Sequence, residues 1–145
     1  MRRYPVPLIA AVIGASLLVG GCSSQAGLKV LDRASTPEDK LPAGVTLPQE
    51  VNADSARLLA TKDDVKYFAA ENDDVTVACV AVVPPGDVPQ WIAGCSGLNV
   101  TGRIVEVSGL GGASSTMLVT DGFDTRALEL DGWAKLTENI LVAGR

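Results

Sequence analysis

The feature that most constrains the fold of this chain is a run of nine residues at 75–83, which spells VTVACVAVV. β-Branched side chains dominate it and favour an extended conformation. Because both alternating faces of the run are apolar, it is typical of a central strand that is covered on both sides. Two prolines and a glycine at 84–86 end it, since proline has no amide hydrogen for a β ladder. The run therefore predicts a central strand in a sheet with two buried faces.

The rest of the second half consists of short apolar runs separated by turn signals. Asp121-Gly122 and Asp131-Gly132 are the clearest of these signals. Further strands are predicted at residues 90–95, 102–108, 115–120, 125–130, 133–136 and 140–142. Many short strands at such spacing favour an all-β fold, either a small antiparallel sandwich or an open barrel.

Residues 56–71 allow two interpretations. Leu58, Leu59, Val65 and Phe68 recur at helical spacing among good helix formers. A β-rich run at 65–68 and the Asp63-Asp64 pair between two matched runs favour a hairpin instead. The hairpin is the preferred interpretation, with the helix as the alternative.

Residues 28–48 mix short ordered signals with helix breakers. Thr36 can cap a helix that has Pro37 at its first position, and the acids that follow suit the positive end of its dipole. Proline and glycine at 42 and 44 stop it early. We predict one short helix in an otherwise extended linker, held to the domain by apolar side chains that include Leu28, Leu31 and Leu41.

The N-terminus has the order of a secretory signal in its lipoprotein form. Arg2 and Arg3 precede an apolar run, and small residues then lead to Gly21 and Cys22. We expect cleavage between Gly21 and Cys22 and a diacylglyceryl group on the Cys22 thiol. Two acyl chains hold a protein stably at a membrane. The apolar run is shorter than the about 20 residues of a membrane-spanning helix, so an uncleaved span is the weaker alternative.

Processing would divide the chain into a signal peptide at 1–21, a lipidated tether and linker at 22–50, and a β-rich domain at 51–145. Removing the signal removes two of 12 basic residues and none of the 17 acidic ones, which leaves a net charge of 10 − 17 = −7. An acidic chain does not attract nucleic acid phosphates. We therefore expect no nucleic acid partner, and membrane contact through the lipid on the extracytoplasmic face.

Cys79 and Cys95 remain once Cys22 is acylated. A turn at 84–89 between two neighbouring antiparallel strands would place them opposite each other. In an oxidising exported setting such a pair predicts a disulfide.

The chain contains no histidine. It therefore lacks the commonest general base and the histidine of the usual nucleophile systems. The glycine-rich stretch at 109–115 has no P-loop lysine and is interpreted as a hairpin loop. The Asp63-Asp64 pair, a second pair at 73–74, and acids at 121 and 124 are interpreted as turn residues rather than calcium ligands. Trp91 and Trp133 are assigned to packing. We predict no catalytic residue, no metal site and no cofactor.

Several short motifs occur together in one order: LDR at 31–33, RLLATKD at 57–63, YFAA at 67–70, VACV at 77–80, WIAGCS at 91–96, DGW at 131–133 and NILV at 139–142. In this the chain resembles small uncharacterised lipoproteins and membrane-tethered exported proteins of high-GC Gram-positive bacteria. The resemblance covers most of the mature chain. It implies an exported location in such a bacterium and implies no chemistry.

These observations favour a cell-surface lipoprotein that acts as a non-enzymatic binding or accessory module of the cell envelope. Its partner would be another envelope protein or a cell-wall ligand. The alternative is an enzyme without histidine, such as a hydrolase or a metal-assisted enzyme that acts on envelope material.

Overall fold

The computed structural model describes residues 28–48, 50–86, 90–98, 102–109 and 114–143. These residues form two four-stranded antiparallel sheets, one short α-helix and three single-turn 3-10 helices. The first sheet has the strand order β1-β2-β3-β4 and the second has the order β5-β6-β8-β7. The arrangement is a sandwich and not a closed barrel, in agreement with the predicted all-β class.

The elements are short, as their turn-rich sequence predicts. The strands are β1 (Arg57–Lys62), β2 (Val65–Glu71), β3 (Val77–Val83), β4 (Ile92–Gly97), β5 (Arg103–Ser108), β6 (Ser115–Val119), β7 (Trp133–Lys135) and β8 (Ile140–Ala143). The 3-10 helices are Lys29–Leu31, Pro37–Asp39 and Ala53–Ser55, and the α-helix is α1 (Arg126–Leu130).

The hairpin prediction for residues 56–71 is confirmed. β1 and β2 pair from Arg57↔Ala69 to Lys62↔Val65. Asp63 and Asp64 join them with φ angles of 52° and 61°. Two consecutive left-handed residues are the mark of a type I′ hairpin turn, and aspartate tolerates that region better than most side chains. The turn explains why two acids stand between the matched runs.

β3 is a central strand, as the apolar run predicts. It pairs with β2 on one side and with β4 on the other. In the second pairing Cys79 lies directly opposite Cys95, and their sulfur atoms form a disulfide with a Cα–Cα distance of 4.0 Å. The predicted disulfide is therefore present.

The main core lies between the two sheets. Tyr67 and Val80 from the first sheet meet Leu118 and Ile140 from the second, and all four are buried. The sheets approach each other closely at Gly94, where an added Cβ would lie 2.5 Å from a methyl group of Val107. A glycine is required at this position because the facing strand leaves no room for a side chain.

The outer face of the first sheet is covered by residues 28–48 and 50–56, which we call the strap. Leu41, Leu47 and Val51 of the strap pack against the face that carries Phe68 and Cys79. The strap is the reason that β3 is apolar on both of its faces.

Two other strap residues extend the core between the sheets. Leu28 and Leu31 are 1% and 5% exposed and belong to the inter-sheet cluster. Their contacts confirm that these apolar side chains hold the segment to the domain. The predicted short helix is also present, as the 3-10 turn Pro37–Asp39.

One predicted strand is wrong. Residues 125–130 form α1 and its N-terminal flank instead of a strand. Thr125 and Leu128 are buried while their neighbours are exposed, and a spacing of three residues is helical rather than extended. Leu128 packs on the outer face of the second sheet against Met117 and Leu141.

Candidate functional site

The strap has two arms, residues 28–48 and residues 50–56, and a groove of about 660 Å³ lies between them beside the start of β1. Its polar lining includes Thr36, Lys40 and Asp54, and its apolar lining includes Leu41 and Val45. This volume falls within the range of about 300–1,000 Å³ that is typical of small-molecule sites. The groove is therefore large enough to hold a ligand fragment with both apolar and polar parts.

Asp39 fixes one wall of the groove. Its carboxylate accepts two hydrogen bonds from the Arg33 guanidinium, at 2.7 and 2.6 Å. It accepts two more from the backbone amides of Thr36 and Leu58, each at 2.7 Å. The Thr36 hydroxyl donates a fifth bond at 3.1 Å. Asp39 thereby ties both ends of its own turn to the edge strand β1.

The bonds to Asp39 also decide its charge state. The side chain is only 3% exposed. The Arg33 guanidinium, followed by the backbone amides, holds the pKa of the Asp39 carboxyl well below its usual range, against the opposing effect of burial. Asp39 is therefore ionised at neutral pH, all of its acceptor positions are occupied, and it is not suited to move a proton.

Arg57 fixes the neighbouring part of the strap. It is 9% exposed and donates hydrogen bonds to the carbonyl oxygens of Arg33, Asp54 and Ala56, at 3.0, 3.0 and 2.8 Å. These carbonyls belong to both arms of the strap. A buried guanidinium that satisfies three carbonyl groups holds the arms at a set separation, so the groove is preformed.

The charged groups that face solvent along the groove are Lys40 and Asp54, both of which are exposed. Leu41 and Val45 lie behind them and are half-buried. The arrangement can bind an apolar group against the leucine and valine while Lys40 pairs with an acidic group. The groove does not bring two titratable carboxylates together for acid–base chemistry, because both oxygens of Asp39 already accept hydrogen bonds.

Glu71 is a second carboxylate in an unusual environment. Among the described residues, its Oε2 atom is buried without a hydrogen-bond partner. Burial raises the pKa of the Glu71 carboxyl, Asp32 raises it further, and Arg57 opposes both effects. Glu71 lies at the end of β2 and does not line the groove. It is therefore separate from the candidate site.

The structure places the other candidate residues in structural roles. Trp91 and Trp133 are half-buried and pack against the outer faces of the first and second sheets. The Asp63-Asp64 pair forms the β1–β2 turn. Gly21 and Cys22 lie outside the described residues, as do positions 110–113 of the glycine-rich stretch.

Two general features bear on the kind of site. Across the described ranges, no three acidic, cysteine or histidine side chains come together as a set that could hold a metal ion. Within the same part of the chain, no helix has the length and apolar character needed to cross a membrane.

The sequence did not predict the ion pair of Arg33 with Asp39. Thr36 and Asp39 have the spacing of a capping box, in which the acid accepts a hydrogen bond from the first amide of the turn, so this one bond of Asp39 could have been predicted. Nothing in the local sequence shows that the same acid also reaches Arg33 and the amide of Leu58.

Comparisons with protein-family models, with curated proteins and with solved structures find no match to this chain. The function must therefore be inferred from the geometry of the groove and from the sequence.

Proposed function

We propose that this chain is the extracytoplasmic body of a lipoprotein, held by a diacylglyceryl group on Cys22, and that it acts as a non-enzymatic binding module of the cell envelope. The observation that carries the binding role is the preformed groove. Its walls are fixed by Asp39 and Arg57, while Lys40, Leu41 and Val45 remain available to a ligand. Rigid walls lower the ordering cost of binding.

The lining suggests the chemistry of the ligand. Lys40 can pair with a carboxylate, and the half-buried apolar side chains can cover a short hydrocarbon segment. Cell-wall peptides combine these two properties, since they carry carboxylates and small apolar side chains. We therefore propose a cell-wall peptide fragment as the ligand, or an acidic segment of an envelope protein with the same chemistry.

A bulky substitution in the groove tests the binding role. Ala53→Trp places a large ring on the lining, and Ala134→Trp places the same ring on the exposed surface of β7, away from the groove. Binding of soluble peptidoglycan fragments, measured by calorimetry, should weaken at least tenfold in Ala53→Trp and stay unchanged in Ala134→Trp. Equal affinity in both variants, or no binding by the unmodified protein, would count against the proposed ligand.

The anchor is tested separately, by Cys22→Ala. The substituted protein should leave the membrane fraction or accumulate as an uncleaved precursor, because the acylated thiol is absent. Processing and membrane retention equal to those of the unmodified protein would show that Cys22 does not carry the anchor.

A further inference from the structure

The folded body begins very close to the proposed lipid. Leu28 is already 1% exposed in the inter-sheet core. The next amide, that of Lys29, donates a 2.9 Å hydrogen bond to a carboxylate oxygen of Asp121. Only residues 23–27 separate Cys22 from Leu28. Whatever their conformation, six Cα–Cα steps span at most about 22 Å.

Leu28 lies at one particular end of the sandwich, which we call the Leu28 end. Lys29 contacts Asp121, which follows β6, and Arg103↔Val119 pairs the start of β5 with the end of β6. β4 leads into β5 across residues 98–102, so the end of β4 lies here too. The turn at 72–76 belongs to the same end, because Val77 pairs with Gly97 and the amide of Leu98 donates to the carbonyl of Thr76.

The opposite end of the sandwich, which we call the Asp63 end, contains the β1–β2 turn. Lys66 pairs with Val83 there, so β3 also finishes at this end. β5 finishes at the same end, where Ser108 pairs with Ser115. Strands of six and seven residues separate the two ends by about 20 Å.

We propose that the Leu28 end faces the bilayer and that the Asp63 end points away from it. The inference rests on the proposed lipid at Cys22. A domain of this size has a radius of gyration of about 13 Å, which corresponds to a diameter of about 34 Å for a uniform sphere. The tether, at most about 22 Å long, is shorter than this diameter. It could bring the Asp63 end to the bilayer only when fully stretched along the side of the body, so it holds the Leu28 end toward the membrane.

The charges of the Leu28 end show that the tether, and not adsorption, sets this orientation. Asp73, Asp74, Asp121 and Glu138 are exposed or half-exposed there, and they outnumber the exposed cations Lys29 and Arg103. An anionic lipid surface does not attract such a face. A longer tether should therefore release the orientation, since no favourable surface contact would replace the covalent limit.

The orientation also places the groove. Asp54 and Ala56 line it immediately before β1 begins, and the start of β1 belongs to the half of the sandwich nearer the Leu28 end. The Asp54 side of the groove therefore lies in the half of the body that faces the membrane, while Val45, on its other side, packs in a cluster that extends to Val83 at the Asp63 end.

Distance measurements on vesicles test the orientation. Asp74→Cys and Lys62→Cys, both at exposed positions, carry a donor dye at the Leu28 end and the Asp63 end. Labelling without a reductant preserves the Cys79–Cys95 disulfide. With the lipidated mature protein on phosphatidylcholine vesicles that contain a headgroup acceptor, energy transfer should be more efficient from position 74. The two distances to the headgroups should differ by up to about 20 Å, the length of a strand.

A second labelled pair guards against a local effect of either substitution. Arg103→Cys and Ser108→Cys are exposed at the two ends of the single strand β5. The dye at position 103 should be the closer of the two to the headgroups.

A longer tether provides the control. About 20 Gly and Ser residues inserted after Ala26 add a flexible span of about 25 Å. The difference in energy-transfer efficiency between positions 74 and 62, and that between positions 103 and 108, should then shrink toward zero.

The outcomes separate the orientation from the anchor. Protein that fails to sediment with vesicles, or whose Cys22 carries no lipid by mass spectrometry, overturns the anchor and the orientation together. Protein that is lipidated and bound but shows equal transfer within both pairs overturns the orientation alone. A larger transfer from positions 62 and 108 would mean that the body is inverted.

Discussion

Asp39→Asn is the substitution that should reveal most about how this fold is held together. The amide is nearly isosteric with the carboxylate, so packing is preserved while the charge and one acceptor oxygen are lost. In the native protein one oxygen of Asp39 accepts from Arg33 and Leu58, and the other accepts from Arg33 and from the amide and hydroxyl of Thr36. An asparagine can keep one of these sets and must turn its NH2 group toward the donors of the other.

The loss of stability in Asp39→Asn follows from the hydrogen bonds that are lost. A hydrogen bond to a charged group contributes about 1.5–3 kcal/mol, and a donor left unsatisfied in a buried place costs a similar amount. Arg33 is 39% exposed and can regain water, which reduces its share of the loss. We therefore expect Asp39→Asn to lower the free energy of unfolding by about 2–4 kcal/mol. At about 4 °C per kcal/mol, a slope between those of smaller and larger domains, this corresponds to a fall in Tm of about 8–16 °C.

The assay is reversible thermal or urea unfolding followed by circular dichroism, with Glu38→Gln as the matched control. Glu38 is the neighbouring acid on the same turn and is exposed, so its neutralisation should change the free energy of unfolding by less than about 0.5 kcal/mol. The two variants make the same chemical change at adjacent positions. Their difference therefore isolates the buried bonds of Asp39.

The pH dependence gives the same test a second measurement. Because the pKa of Asp39 is lower in the folded than in the unfolded protein, its contribution is fully present above the unfolded value of about 3.9 and is lost as the pH falls toward the folded value. The difference in the free energy of unfolding between the native protein and Asp39→Asn should be constant from about pH 5 to 8 and should narrow below about pH 4. This reasoning would be refuted if Asp39→Asn were as stable as Glu38→Gln, or if the difference in free energy did not change in acid.

Three further substitutions test other parts of the structure. Glu71→Gln should raise Tm at pH 7, because partial burial and the unpaired Oε2 raise the pKa of the Glu71 carboxyl and make its ionised form destabilising. The gain should shrink as the pH falls and be absent below about pH 3, where Glu71 is protonated in both the folded and the unfolded states. A loss of stability at pH 7 would contradict this. Replacing Cys79 and Cys95 together with alanine should cost about 3 kcal/mol, measured by urea unfolding without reductant, since the disulfide closes a loop with a sequence separation of 16. Gly94→Ala should cost about 1–3 kcal/mol by the same measurement, because its methyl group would lie 2.5 Å from Val107, whereas an unchanged midpoint would show that the sheets separate freely.

Local patterns predicted most of the strands. The apolar run around Cys79 predicted that β3 is a central strand. The turn predicted at 84–89 indicated that β3 pairs with the next strand, β4. The two acids at 63 and 64 suffice for the hairpin because the geometry of a two-residue turn depends on those residues alone. The strand predicted at 125–130 was wrong because its structure depends on distant residues. The short apolar pattern there suits a helix or a strand, and the choice depends on packing against Met117 and Leu141, which are not neighbours in sequence.

The groove could not be predicted from the sequence for the same reason. Its walls depend on contacts between residues that are far apart in the chain, such as Arg57 with the carbonyl of Arg33 and Asp39 with the amide of Leu58. Composition indicates that the acidic residues favour turns, which describes most of them correctly. It contains no sign that one of them is buried and connects three segments.

The position of β8 has a consequence for how the chain matures. β8 is the last strand in sequence, yet it lies between β6 and β7 and contributes Ile140 and Leu141, which are fully buried. Until these residues have been synthesised, the second sheet lacks an interior member and two of its strands have open edges. The sandwich therefore cannot close before nearly the whole described part of the chain has been made. A chain that stops short of β8 should expose strand edges and apolar surface, which favours aggregation.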